Sequence, residues 1–134
     1  MKKIIAIALT VMMLLSVMPF AIFAEGDTNP IKIVDAEGND VATYATLQEA
    51  VNAVTDDQKI IILEDYALSS YLQYKGSYNP DDLKDVVIEG ADKSDGTKVK
   101  VTCAKGFSDQ VGCYNLTVRN LDIVNEGTGF DVFM

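Results

Sequence analysis

The sequence predicts a mainly β chain with one short helix at its front, lying behind an N-terminal export leader. Three observations carry this reading. The first 24 residues hold two lysines and then no charge until Glu25. Thr46-Leu47-Gln48-Glu49 opens a stretch whose apolar residues recur at helical spacing. From Lys59 onward, apolar residues alternate with polar ones or run in short β-branched blocks, separated by turns rich in Gly and Asp.

The leader has the three parts that export needs. Lys2 and Lys3 supply the positive start, and Ile4 to Val17 is apolar except for Thr10 and Ser16. Pro19 then breaks the helix, and Ile22-Phe23-Ala24 offers a small residue to a signal peptidase, which places the cut after Ala24. About 20 apolar residues would also be long enough for a retained membrane anchor. The early proline and the small boundary residue favour cleavage, so residues 1–24 are assigned as a signal peptide and 25–30 as a polar linker. The first cysteine is Cys103, which excludes a lipid-anchored cleavage site. The expected location is therefore secreted or at the cell surface, with membrane contact only through the leader during export.

The full chain has 134 residues, 11 basic and 20 acidic, for a net charge of −9. Losing Lys2 and Lys3, and no acid, leaves 9 basic residues and a balance of −11 on the chain from Glu25 onward. That length suits one small domain. The acidity argues against nucleic acid as a partner, since phosphate backbones require basic patches. Histidine is absent, which removes the commonest general base and excludes Ser-His and Cys-His nucleophiles within this chain. No glycine-rich phosphate loop is present. The sequence assigns no catalytic residue, no metal ligand and no cofactor.

Along the chain, Ile31 to Val34 and Val41 to Tyr44 read as a hairpin, with Gly38-Asn39 expected to supply positive backbone angles. Asp35, Glu37 and Asp40 crowd this turn, but their spacing fits a solvated turn rather than a calcium loop. Thr46 and Glu49 fit a capping box, and Leu47, Ala50, Val51 and Val54 form one apolar stripe, which predicts a short helix ending at Thr55-Asp56-Asp57. Ile60 to Leu63 is a continuous apolar run, expected to be a strand buried on both faces. Strands follow at Asp85–Glu89 and Lys98–Cys103, the latter with Val99, Val101 and Cys103 on one face. Two tandem strands fill Asn115 to Asn125, broken at Asn120. Segments 66–82 and 104–114 are expected to be loops.

Tyr44-Ala45-Thr46-Leu47-Gln48-Glu49-Ala50-Val51, followed by Ile60-Ile61-Ile62-Leu63-Glu64-Asp65, resembles the start of the right-handed parallel β-helix (pectate-lyase-like) domains of bacterial secreted and cell-surface proteins. Asp85-Val86-Val87-Ile88-Glu89-Gly90 and Asn115-Leu116-Thr117-Val118-Arg119-Asn120-Leu121-Asp122-Ile123 are similar to its coils. The resemblance spans about residues 41–125. It implies that the helix covers the open end of the stacked strands, and that 31–134 is the cap and first coils of such a domain. Coil starts near Ile60, Val86 and Leu116 are spaced more loosely than in a regular solenoid. The apolar end Phe130-Asp131-Val132-Phe133-Met134 suggests truncation, since stacked repeats normally require several coils and a cap.

The family's enzymes use acidic calcium ligands and a basic residue on later coils, and no residue here matches them. Arg119, the lone arginine, is expected to pair with Asp122 or a neighbouring coil. Asn120 and Asn125 are expected to satisfy turn backbone or to stack between coils. The resemblance implies a non-catalytic, adhesin-like or structural surface module. The alternative is the leading segment of a polysaccharide lyase or glycoside hydrolase with its active site beyond residue 134. Tyr66, Tyr71, Tyr74 and Tyr78, with Asn79 and Asp81 behind them, are candidates for stacking on a polysaccharide such as a host or cell-wall glycan; the alternative is that Tyr71 and Tyr74 pack an insertion. Cys103 and Cys113 form a candidate disulfide across nine residues, unless Cys103 packs as a buried thiol.

Overall fold

The structure is a computed structural model, and residues 29–74, 84–109 and 113–127 are described, by backbone alone at 84, 108, 109, 113 and 114. The predicted hairpin forms from β1 (Ile31–Val34) and β2 (Asp40–Tyr44). Its turn differs from expectation in one respect, because only Gly38 takes a positive φ, at 89°. Asn39 is instead held by Asp35, whose carboxylate accepts from the Asn39 backbone N–H at 2.8 Å and from its Nδ2 at 3.0 Å. Lys32 reaches Asp40 at 2.7 Å across the hairpin.

Helix α1 (Leu47–Ala53) has the predicted capping box, with Thr46 as its N-cap and Glu49 answering from the third position. Seven residues are too few for a helix to persist on propensity alone. Its stability comes from Leu47, Ala50 and Val51, all buried against the strands together with Val54 at its C-cap.

The remaining strands are β3 (Lys59–Ile62), β4 (Tyr66–Leu68), β5 (Leu72–Gln73), β6 (Lys84–Gly90), β7 (Val99–Cys103), β8 (Ser108–Asp109), β9 (Cys113–Arg119) and β10 (Leu121–Asn125). They build a five-stranded mixed sheet in the order β2-β1-β3-β6-β9, a three-stranded sheet β10-β7-β4, and a two-stranded sheet β5-β8. The β1 pairings are antiparallel. The β3–β6, β6–β9, β4–β7, β7–β10 and β5–β8 pairings are all parallel. The chain thus visits the three sheets in turn: β3, β4 and β5, then β6, β7 and β8, then β9 and β10.

Register explains the core. Ile33, Ile60, Ile88 and Val118 are successive partners across the large sheet. Tyr66, Val101 and Ile123 are successive partners across the second. Because side chains alternate along each strand, one such column inside places its neighbours outside. Ile60, Ile62, Val86, Ile88, Val99 and Val101 are fully buried, and each contributes about 1.5–3 kcal/mol of apolar burial. Leu116, Val118, Leu121 and Ile123 on β9 and β10 are half-buried against the same core.

Two expectations need correction. Ile60 to Leu63 is buried on one face only, since Ile61 is half-buried and Leu63 is 39% exposed. Ile61 sits in register between Lys32 and Glu89, on the solvent side of a sheet with a single core face. Segments 66–82 and 104–114 are not wholly loops, because β4, β5 and β8 lie within them. Strand β7 forms where it is predicted and is the centre of the second sheet. Val99, Val101 and Cys103 do share its buried face, as the alternation predicts.

Candidate functional site

The described tyrosines do not form one platform. Tyr74 is 6% exposed and belongs to the core. Tyr66 is half-buried against that core, and its hydroxyl accepts a hydrogen bond from the Leu47 backbone N–H at 3.1 Å. That N–H is one of the donors a helix start leaves without an internal partner, so Tyr66 secures α1 to β4. Of the three, Tyr71 lines an open cleft. Tyr78, with Asn79 and Asp81, lies outside the described residues.

The cleft is shallow, about 250 Å3, and is lined by Gln48, Asn52, Ser70, Tyr71 and Gln73. It lies where α1 meets β5. Gln48 joins the two elements: its Oε1 accepts from the Gln73 backbone N–H at 2.9 Å, and its Nε2 donates to the Gln73 carbonyl at 2.7 Å. The amide thus pairs with β5 much as an adjacent strand would. Gln48 Nε2 also donates to Asn52 Oδ1 at 3.1 Å, which leaves the Asn52 Nδ2 hydrogens as donors on that side chain. Sequence reasoning finds Tyr71 but not the amides. Gln48 and Asn52 are four apart on one helix face, yet only the fold brings them to Ser70 and Gln73.

Elsewhere several ionisable groups pair between neighbouring strands. Arg119 pairs with Glu89 at 2.9 Å, so its partner is on the neighbouring strand rather than at Asp122, and Lys59 approaches the same carboxylate at 3.6 Å. Exposed pairs of this kind contribute about 0–1 kcal/mol each. Asn120 adopts φ 53° and donates through Nδ2 to the Gly90 carbonyl at 2.8 Å and to Asp92 at 3.0 Å. Asn125 Oδ1 accepts from Gly127 N–H at 3.0 Å. Asn120 therefore ties the β9–β10 bend to the end of β6, and Asn125 satisfies the backbone of its own turn.

Asp65 accepts from the Lys100 backbone N–H at 2.8 Å and from Lys93 Nζ at 2.7 Å. These hold its carboxyl below the ordinary aspartate range, the Lys100 N–H contributing most. Asp35 and Asp95 are likewise lowered, chiefly by the side chains of Asn39 and Thr97. Cys103 is fully buried with a free thiol, and burial pushes that thiol up, away from the reactive thiolate. The side chain of Cys113 lies outside the described residues.

Among the described residues, no cluster of three or more His, Cys, Asp and Glu side chains is placed to hold a metal ion. Among them also, no helix is long and apolar enough to cross a membrane; residues 1–24 are not among them. Comparison with protein-family profiles, curated proteins and solved structures finds no match.

Proposed function

We propose that this protein is exported and serves outside the cytoplasm as a non-catalytic structural or adhesive module built on a right-handed parallel β-helix. The carrying observation is the order in which the chain supplies its sheets. Strands β3, β6 and β9 share one parallel ladder, β4, β7 and β10 a second, and β5 and β8 a third. A chain that revisits three ladders in the same sequence is built from stacked turns, each burying its inner face against the next. The antiparallel β1–β2 hairpin and α1 then act as the cover of the first turn.

The composition supports a non-catalytic role, because without histidine no Ser-His or Cys-His nucleophile can form within this chain. Export is supported by the residue pattern of the leader, with its lysines, apolar run and Ala24 boundary.

The test is to recover the native product from culture medium and cell-wall fractions, determine its N-terminus and intact mass, and incubate it with a panel of polysaccharides. The expected product begins at Glu25 and releases no reducing or unsaturated ends. A chain retained inside the cell with residues 1–24 attached would overturn the export reading, and polysaccharide cleavage would overturn the non-catalytic one.

A further inference from the structure

We infer that the cleft between α1 and β5 is a binding subsite for a single neutral, hydroxyl-rich ring such as a pyranose. This deepens the adhesive reading and rests on it only for the source of the ligand, an extracellular glycan.

The lining sets the ligand class. Gln48, Asn52, Ser70, Tyr71 and Gln73 carry no formal charge between them, although the chain as a whole stands at −9. An ionic ligand would find no countercharge on these residues, and an anion would also be repelled by the surrounding protein. What the lining offers is amide and hydroxyl groups beside one aromatic face. Amides present donors and acceptors together, as a sugar's vicinal hydroxyls do, and a tyrosine ring gives the flat amphipathic surface against which a sugar's C–H face packs.

The cleft is also organised before any ligand arrives. Gln48 is fixed by two hydrogen bonds to the Gln73 backbone and a third to Asn52. The Asn52 amide is thereby oriented, with Oδ1 engaged and Nδ2 left to donate. Such fixed groups lose little conformational freedom on binding. Size limits the occupant: about 250 Å3 falls below the roughly 300–1,000 Å3 of sites that enclose drug-sized ligands, so the cleft suits one ring. An open cleft with one aromatic wall binds weakly, in the range of about 1 mM or above. Useful adhesion through it requires many copies on one surface, where avidity multiplies weak contacts.

The experiment is saturation-transfer NMR and titration of the secreted protein with glucose, galactose, N-acetylglucosamine and, as the anionic comparison, galacturonate. At least one neutral ring is expected to bind, with galacturonate weaker than galactose. Tyr71→Ala is expected to weaken binding about tenfold, and Asn52→Ala, at an exposed helix position, about threefold to fivefold. Folding of each variant is checked by its thermal midpoint, and Asn52→Ala carries the test if Tyr71→Ala does not fold. Absence of binding by every neutral ring, preference for galacturonate, or wild-type affinity in folded variants would overturn the proposal. Cell-wall retention of the same variants is scored separately. Retention without sugar binding sinks the subsite and leaves the adhesive module standing, whereas loss of both export and retention in the wild type sinks the broader reading.

Discussion

Gly90 ends β6 where the chain turns beneath Asn120, and its replacement by alanine is the sharpest test of how the strands stack. A Cβ at this position would lie well inside contact distance of the Asn120 carbonyl oxygen and 2.7 Å from Leu121 Cδ2. The leucine can rotate away, but the carbonyl cannot. Asn120 is already in the left-handed region and is pinned through its side chain to the Gly90 carbonyl and to Asp92. Relief therefore requires the β9–β10 turn to move off β6. Overpacking of this kind costs about 1–3 kcal/mol, and loss of the Asn120–Gly90 hydrogen bond adds about 1 kcal/mol, so Gly90→Ala is expected to cost roughly 2–4 kcal/mol.

Gly96 separates sterics from backbone preference. It sits at φ 76°, and a methyl group there would meet no atom within 4 Å, so Gly96→Ala bears only the left-handed penalty of about 1–2 kcal/mol. Urea unfolding of the secreted protein, followed by far-UV circular dichroism, resolves the two. With a slope of about 1–3 kcal/mol/M, the Gly90→Ala midpoint should fall by roughly 1–2 M and the Gly96→Ala midpoint by clearly less. Equal midpoints for the two variants, or a Gly90→Ala midpoint matching wild type, would refute the close stacking of Asn120 on β6.

Two further outcomes follow from the same structure. Tyr66→Phe removes the acceptor for the Leu47 N–H and is expected to cost about 0.5–1.5 kcal/mol in the same assay without altering sugar binding; no loss would mean that the hydroxyl does not secure α1. The lowered carboxyls of Asp35, Asp65 and Asp95 set the direction of pH dependence. Their folded-state affinity for protons is below the unfolded value of 3.8, so their contribution is present above that pH and is lost as pH falls through the lower folded values. The urea midpoint should drop as pH falls through and below the unfolded value of 3.8, and Asp65→Asn should flatten part of that slope; an identical slope in the variant would assign the acid sensitivity elsewhere.

How much of the fold is legible in the sequence depends on the range of the interaction. The start of α1 can be read at once, because Thr46 and Glu49 satisfy backbone groups within three residues of each other. The faces of β7 can be read because five residues are enough to display alternation. Strands β4, β5 and β8 escape for the converse reason: two or three residues carry no period, and they become strands only when Leu68 meets Cys103 and Leu72 meets Ser108. Ile61 and Leu63 mislead because apolar character does not by itself mean burial, and the sheet has only one core face.

The tyrosines show the same division. Composition and order along the chain identify an aromatic segment, but placing Tyr74 in the core, Tyr66 under a helix and Tyr71 in a cleft requires contacts between segments far apart in the chain, such as Leu47 with Tyr66 and Gln48 with Gln73. The sequence by itself determined the types of the longer elements, the capping chemistry, the leader pattern and the absence of histidine chemistry, all of which are local or compositional. The tertiary structure alone decided which strands pair, which of two equivalent strand faces is buried, and that Gln48 and Asn52 join Ser70, Tyr71 and Gln73 in one cleft. Those outcomes depend on register between distant segments, and a one-residue change of register exchanges every inward side chain for an outward one.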